Sequence, residues 1–220
     1  MAFNDLPLGF VSTPALTLDI KEVIGQNFLG LCQMAPANPN PVECRFGTRD
    51  NFTDEMAAYT HQLNGFLPTV PRSNGESEES IRPEHANRLA VFEPQIIKVC
   101  QDNNVIKCIE IAWAVAFHEA RHWWQDSTFK DISEAIKLSD LPSSLGDRLQ
   151  RNISQREKKT GECPEELLIE ADAFLISRLG LESVRQAHAR GIFQPALLVE
   201  VLTLNRKNIN EYLSKNTGWK

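Results

Sequence analysis

Five consecutive residues, His118-Glu119-Ala120-Arg121-His122, set two imidazoles and a carboxylate at a spacing that can do chemistry. On a helix, residues four apart share one face with their Cβ atoms about 5–6 Å apart, so the rings of His118 and His122 can converge on one ion. Glu119 is turned by roughly 100° from His118, towards the rim of such a site, where it can take a proton from a water molecule. Residues of these types at this spacing point to metal-assisted hydrolysis, with Zn2+ as the ion.

That chemistry requires a helix, and the flanking residues predict one over 105–125. Ile106, Cys108, Ile109, Ile111, Ala112, Trp113, Val115, Ala116 and Phe117 leave no continuous polar face, and Asn103 or Asn104 is placed to cap the start. A helix apolar nearly all round belongs in a membrane or at the centre of a globule, and Lys107, Glu110, His118, Glu119 and Arg121 exclude the first. Ionisable groups buried without partners would cost several kcal/mol each, so a metal or a paired network is expected at that end. Trp113, Phe117 and Trp124 fall on the opposite side, where core packing is the expectation.

Two histidines do not complete a catalytic zinc site, which takes three protein ligands and keeps a position open. The acidic candidates lie on a segment predicted as helix over 164–179, which starts at Pro164 and carries Glu166, Glu170 and Asp172. Glu170 ranks first, Asp172 second and Glu166 third. Asp172 sits within the apolar arc of Leu168, Leu175, Ile176 and Leu179, so it wants a buried partner and is a candidate to support an imidazole or to ligate directly. Gln125, three residues after His122 and seven after His118, shares the histidine face and is a candidate hydrogen-bonding support. Arg121 lies to the side, within reach of Asp172 or Glu170.

With its H-E-x-R-H-x-x-Q stretch at His118–Gln125 and the E-x-D-A-x-x-F-like piece beyond it, the chain resembles the H-E-x-x-H zinc metallopeptidases whose third ligand is a glutamate on a following helix, the gluzincins. It looks most like small bacterial metallopeptidases with these motifs. The resemblance implies His118, His122 and Glu170 as metal ligands, Glu119 as general base, and Asp172 as a carboxylate that helps hold the site. One departure stands out: many gluzincins place an acidic residue four positions after the ligand, and here that position is Phe174. The implied activity is hydrolysis of peptide bonds through a zinc-held water activated by Glu119, on a protein or peptide substrate. The alternatives are a non-catalytic binding or regulatory module on the same scaffold, and a secreted effector.

Composition narrows the classes further. The chain has 220 residues, 42% hydrophobic, which suits one zincin-like domain over 1–220, divided as a wrapping segment 1–67, a flexible loop 68–85 and a catalytic core 86–220. A net charge of −6 with no clustered basic face argues against nucleic acid as partner. No apolar run is long enough to cross a membrane, and the N-terminus lacks the basic and apolar regions of a signal peptide, so a cytoplasmic location is expected. Five cysteines at irregular spacings with no C-x-x-C pair fit a reducing compartment, as small core residues.

The expected fold class is α+β, mostly helical and zincin-like, with a small sheet beside the buried helix and a ligand helix after it. Helix is predicted over 18–31, with Ile20, Val23, Ile24, Phe28 and Leu31 inward, and over 53–63. Strands are expected at 42–46 and 88–92, the latter as an edge against which an extended peptide can be laid. Further helices are expected at 95–102, 182–190 and 194–213, with a polar, helical connector over 129–154 broken at Pro142 and Gly146 and a solvated basic stretch over 151–161. For a donor to a tetrahedral oxyanion the candidates are His85, His188 and Tyr212.

Overall fold

The computed structural model describes residues 13–36, 43–47, 57–60, 88–160, 164–192 and 194–216. The chain is organised on one helix, α3 (Val105–Thr128), which is preceded by α1 (Thr13–Met34) and α2 (Glu93–Asp102) and followed by α4 (Ser143–Thr160), α5 (Pro164–Arg190), α6 (Pro195–Leu202) and α7 (Ile209–Lys215). Two short 3-10 turns, Ile132–Glu134 and Leu138–Asp140, join α3 to α4.

The start of α3 follows from its cap. The side chain of Asn104 accepts the N–H of Lys107 at 2.9 Å while its carbonyl accepts the N–H of Cys108, which satisfies donors that have no partner inside the helix. Ala112, Trp113, Ala116, Phe117, Ala120 and Trp123 are buried, so α3 lies in the interior, with α1 and α5 packed against it. On α1 the periodic positions Ile20, Val23, Ile24, Phe28 and Leu31 are all buried. Helices α3 and α5 run antiparallel. Residue 110 of α3 meets residue 185 of α5 at one end and residue 121 meets residue 172 at the other, with 114 and 117 against 177 and 180 between them.

The expectation of two helices over 164–179 and 182–190 is corrected to the single helix α5. Gly180 does not break it, because tertiary contact outweighs the roughly 1 kcal/mol by which glycine disfavours a helix interior. A Cβ at Gly180 would stand 2.5 Å from the ring of Phe117, so the missing side chain is what lets α3 and α5 approach. The helix ends at Gly191, whose φ of 63° carries the chain into the left-handed region while Ile192 N–H reaches back to the Ala187 carbonyl at 3.0 Å. Two helices, α6 and α7, replace the single one expected over 194–213. The helical connector expected over 129–154 consists of the two 3-10 turns and the start of α4, which begins just after Pro142 but is not broken at Gly146 and continues through most of the basic stretch.

The α+β class is also corrected. The described residues are overwhelmingly helical, and the core is a helical one that also takes in Leu89 and Val91. Backbone pairing joins three short segments, β1 (Glu43–Gly47), β2 (Ala57–Thr60) and β3 (Arg88–Phe92), in the order β1-β3-β2. Ala57–Thr60, expected in a helix over 53–63, instead pairs antiparallel with β3, a case of long-range pairing overriding local propensity. Because β3 has β1 on one side and β2 on the other, it is not the free edge expected for a peptide. Loop 68–85 and His85 lie outside the described residues. No helix among the described residues is long and apolar enough to cross a membrane.

Candidate metal centre

On α3, His118 and His122 are one turn apart and their rings meet edge to face with centroids 4.7 Å apart. Their Nε2 atoms are 3.1 Å from each other. From α5, Glu170 brings its carboxylate to both, 3.3 Å from His118 Nε2 and 3.1 Å from His122 Nε2. The two ring nitrogens and the carboxylate, which turns Oε2 to His118 and Oε1 to His122, form a triangle of groups, and one ligand atom from each residue lies within 4.8 Å of the others. A tetrahedral ion with bonds of about 2.0–2.1 Å holds its ligand atoms about 3.3 Å apart, so groups spaced within that limit are compatible with three zinc ligands and a fourth position to spare.

Hydrogen bonding fixes which atoms face the triangle. Gln125 Nε2 lies 2.6 Å from Asp172 Oδ2 and 3.1 Å from the Ile169 carbonyl, and both of those oxygens accept in the ionised network, so the amide nitrogen must face them. That turns Gln125 Oε1 to His122 Nδ1, at 2.9 Å. An amide oxygen accepts only, so His122 donates from Nδ1 and, in the neutral ring, presents a lone pair at Nε2. The lone pair looks into the triangle, towards a carboxylate oxygen 3.1 Å away. Burial pushes the Glu170 carboxyl up, but with protonated imidazoles the positive charge of His122 and hydrogen bonds from His118 and His122 outweigh it and hold the group below the usual carboxylate range.

Behind this cluster lies a second one. Asp172 is fully buried and each of its oxygens accepts twice: Oδ1 from Arg121 Nη2 at 3.1 Å and Ile136 N at 2.8 Å, Oδ2 from Arg121 Nε at 2.6 Å and Gln125 Nε2 at 2.6 Å. Arg121, also fully buried, donates its remaining Nη1 to the Leu202 carbonyl at 2.6 Å and stacks on Phe129 at 5.2 Å. Asp172 has no lone pair left for an ion, so it supports the site rather than ligating. Of the two partners expected for Arg121, Asp172 is the one it takes.

The remaining sequence candidates separate clearly. Glu119 is buried on α3 beside His118, and Glu166 is exposed, one turn before Glu170. His188 is exposed and Tyr212 is joined to Ser183 at 3.2 Å. At about 1.5 Å per residue, Ser183 and His188 stand roughly 20 Å and 27 Å along α5 from Glu170, so neither His188 nor Tyr212 serves as an oxyanion donor here. Sequence reasoning missed the ring of Phe174, 4.6 Å from that of His118, and the backbone groups of Ile136 and Leu202. The signal for Phe174 was present in its spacing, four residues after Glu170 and so on the same helix face. Backbone partners leave no trace in side-chain patterns.

No protein-family profile, no curated protein and no solved structure matches the chain.

Proposed function

We propose that the protein is a zinc-dependent metallopeptidase, with His118, His122 and Glu170 as ligands and Glu119 as general base. The observation that carries the reading is the convergence of two imidazole nitrogens on the two oxygens of one carboxylate, with contacts of 3.1–3.3 Å. A single proton on His118 Nε2 cannot lie in all three contacts, and none lies between His122 Nε2 and Glu170 when His122 is protonated at Nδ1. A divalent cation meets all three at once.

Zinc held there would supply Lewis acidity towards a scissile carbonyl and bring the pKa of water to about 7. The chain's own residues do the rest. Glu119, on the turn that carries both histidines, takes the proton from the attacking water and hands it to the leaving amine. Phe174 forms an apolar wall beside His118, and exclusion of water there strengthens each electrostatic contact. The H-E-x-R-H-x-x-Q resemblance supports a peptide bond as the one cleaved.

Glu119→Gln tests the assignment. The variant is expected to bind zinc as the wild type does while cleavage of an unstructured protein, abolished by chelator in the wild type, drops by about 10²–10⁴. Chelator-sensitive cleavage that survives the substitution at the wild-type rate removes Glu119 from the mechanism. A wild-type protein that carries no zinc removes the metal.

A further inference from the structure

We propose that Gln125 is a positioning residue, a lock that holds His122 with its proton on Nδ1 and its Nε2 lone pair in the cluster, and that Asp172 sets the direction of the lock. Three features carry this inference. Gln125 is 4% exposed, so water cannot substitute for its contacts. Its amide nitrogen is committed to two acceptors, Asp172 Oδ2 and the Ile169 carbonyl, which leaves one orientation and puts Oε1 against His122 Nδ1. And Asp172 cannot release it by turning, because the Arg121 guanidinium and the Ile136 N–H hold both carboxylate oxygens.

The two histidines are consequently unequal. His118 Nδ1 is buried with no hydrogen-bond partner among the described residues, so its ring has no counterpart to the Gln125 contact that orients His122. His122 is the preset ligand and His118 the adaptable one. Without the lock, a neutral His122 divides between two tautomers, one of which turns an N–H at the ion and must rearrange before binding. The consequence for zinc rests on the metal reading given above, whereas the lock is a property of the metal-free protein.

The test uses the metal-free full chain, labelled with 15N at histidine, in three forms: wild type, Gln125→Met and Ser177→Ala. The third serves as a control, since Ser177 donates to the Ala114 carbonyl at 2.6 Å and its loss loosens the same helix pair without touching a ring. Wild-type His122 is expected as the Nδ1–H tautomer alone. Gln125→Met is expected to populate both tautomers at His122 and to weaken zinc binding by about 10–100-fold, while Ser177→Ala lowers thermal stability and changes neither readout. A wild-type ring protonated at Nε2, or a Gln125→Met ring that keeps the single Nδ1–H form, overturns the lock. The ring pattern alone decides the lock, and it is read from the wild type even where Gln125→Met does not fold. A wild type that shows the single tautomer and takes up no zinc upholds the lock and overturns the metal reading instead.

Discussion

Two polar clusters sit one turn apart on the same two helices, α3 and α5, and they are built on opposite principles. In the cluster of Arg121, Gln125 and Asp172, donors meet acceptors: four hydrogen bonds reach one carboxylate, and the guanidinium is shared between that carboxylate and the Leu202 carbonyl. In the cluster of His118, His122 and Glu170, two ring nitrogens and a carboxylate converge across 3.1–3.3 Å with at most one proton from His118 to share when His122 is protonated at Nδ1. Arg121 and Asp172 of the first cluster are fully buried, whereas His118 and Glu170 keep 14% and 16% of their side-chain surface exposed. A network complete within the chain contributes order, while on the proposed reading the second cluster is completed by a bound cation.

The contrast is broken most severely by removing one half of the complete network. Asp172→Ala leaves Arg121 charged and buried, and is expected to lower stability by about 3–5 kcal/mol in denaturant unfolding, a large share of the roughly 5–15 kcal/mol typical of a native domain. His122→Ala in metal-free protein is expected to cost far less. Equal losses in the two variants would erase the distinction between the clusters.

Zinc probes the other half. At a free concentration one hundred times its dissociation constant, the ion is expected to stabilise the wild type by about 2.7 kcal/mol, a rise of about 5–10 °C in melting temperature for a chain of this size. Chelator reverses the rise. Glu170→Ala is expected to show little or none of it, and a full response in that variant would take Glu170 out of the site.

The smallest effect lies at the far end of the same helix pair, where Arg185 of α5 donates to both oxygens of Glu110 on α3 at 2.7–2.8 Å. The hydrogen bond from Arg185 holds the Glu110 carboxyl below its ordinary value, against a smaller upward push from desolvation. A lowered folded-state value stabilises above the unfolded carboxylate pKa and is lost as pH falls through the folded one. Arg185 is 44% exposed, so solvent screens the pair, and Arg185→Ala is expected to cost about 0–1 kcal/mol near neutral pH. The difference between variant and wild type should shrink on acidification, as followed by unfolding at a series of pH values. A gap that widened in acid would show that the pair does not act through the Glu110 carboxylate.

How much of this could be read beforehand depended on the range of the interaction. Helix α3 was legible because its apolar residues and Asn104 are local signals, and so were the inward positions of α1. Asp172 was legible as a supporting group because a carboxylate on an apolar arc must find a partner. The continuity of α5 through Gly180 was not, since it depends on the ring of Phe117 arriving from α3. The pairing of Ala57–Thr60 with β3, which overturned a helix, is likewise a long-range contact with no local signature.

By itself, then, the sequence determined the two histidines at one-turn spacing, the buried helix that carries them and a short list of carboxylates, because helical periodicity is written along the chain. Only the tertiary structure decided among the carboxylates. Glu170 and Asp172 are two residues apart and so point about 200° apart around α5. The way that helix packs on α3 sends the first into the histidines and the second into Arg121 and Gln125. The rotation of one helix against another is set by the whole interface between them, and no short stretch of residues encodes it.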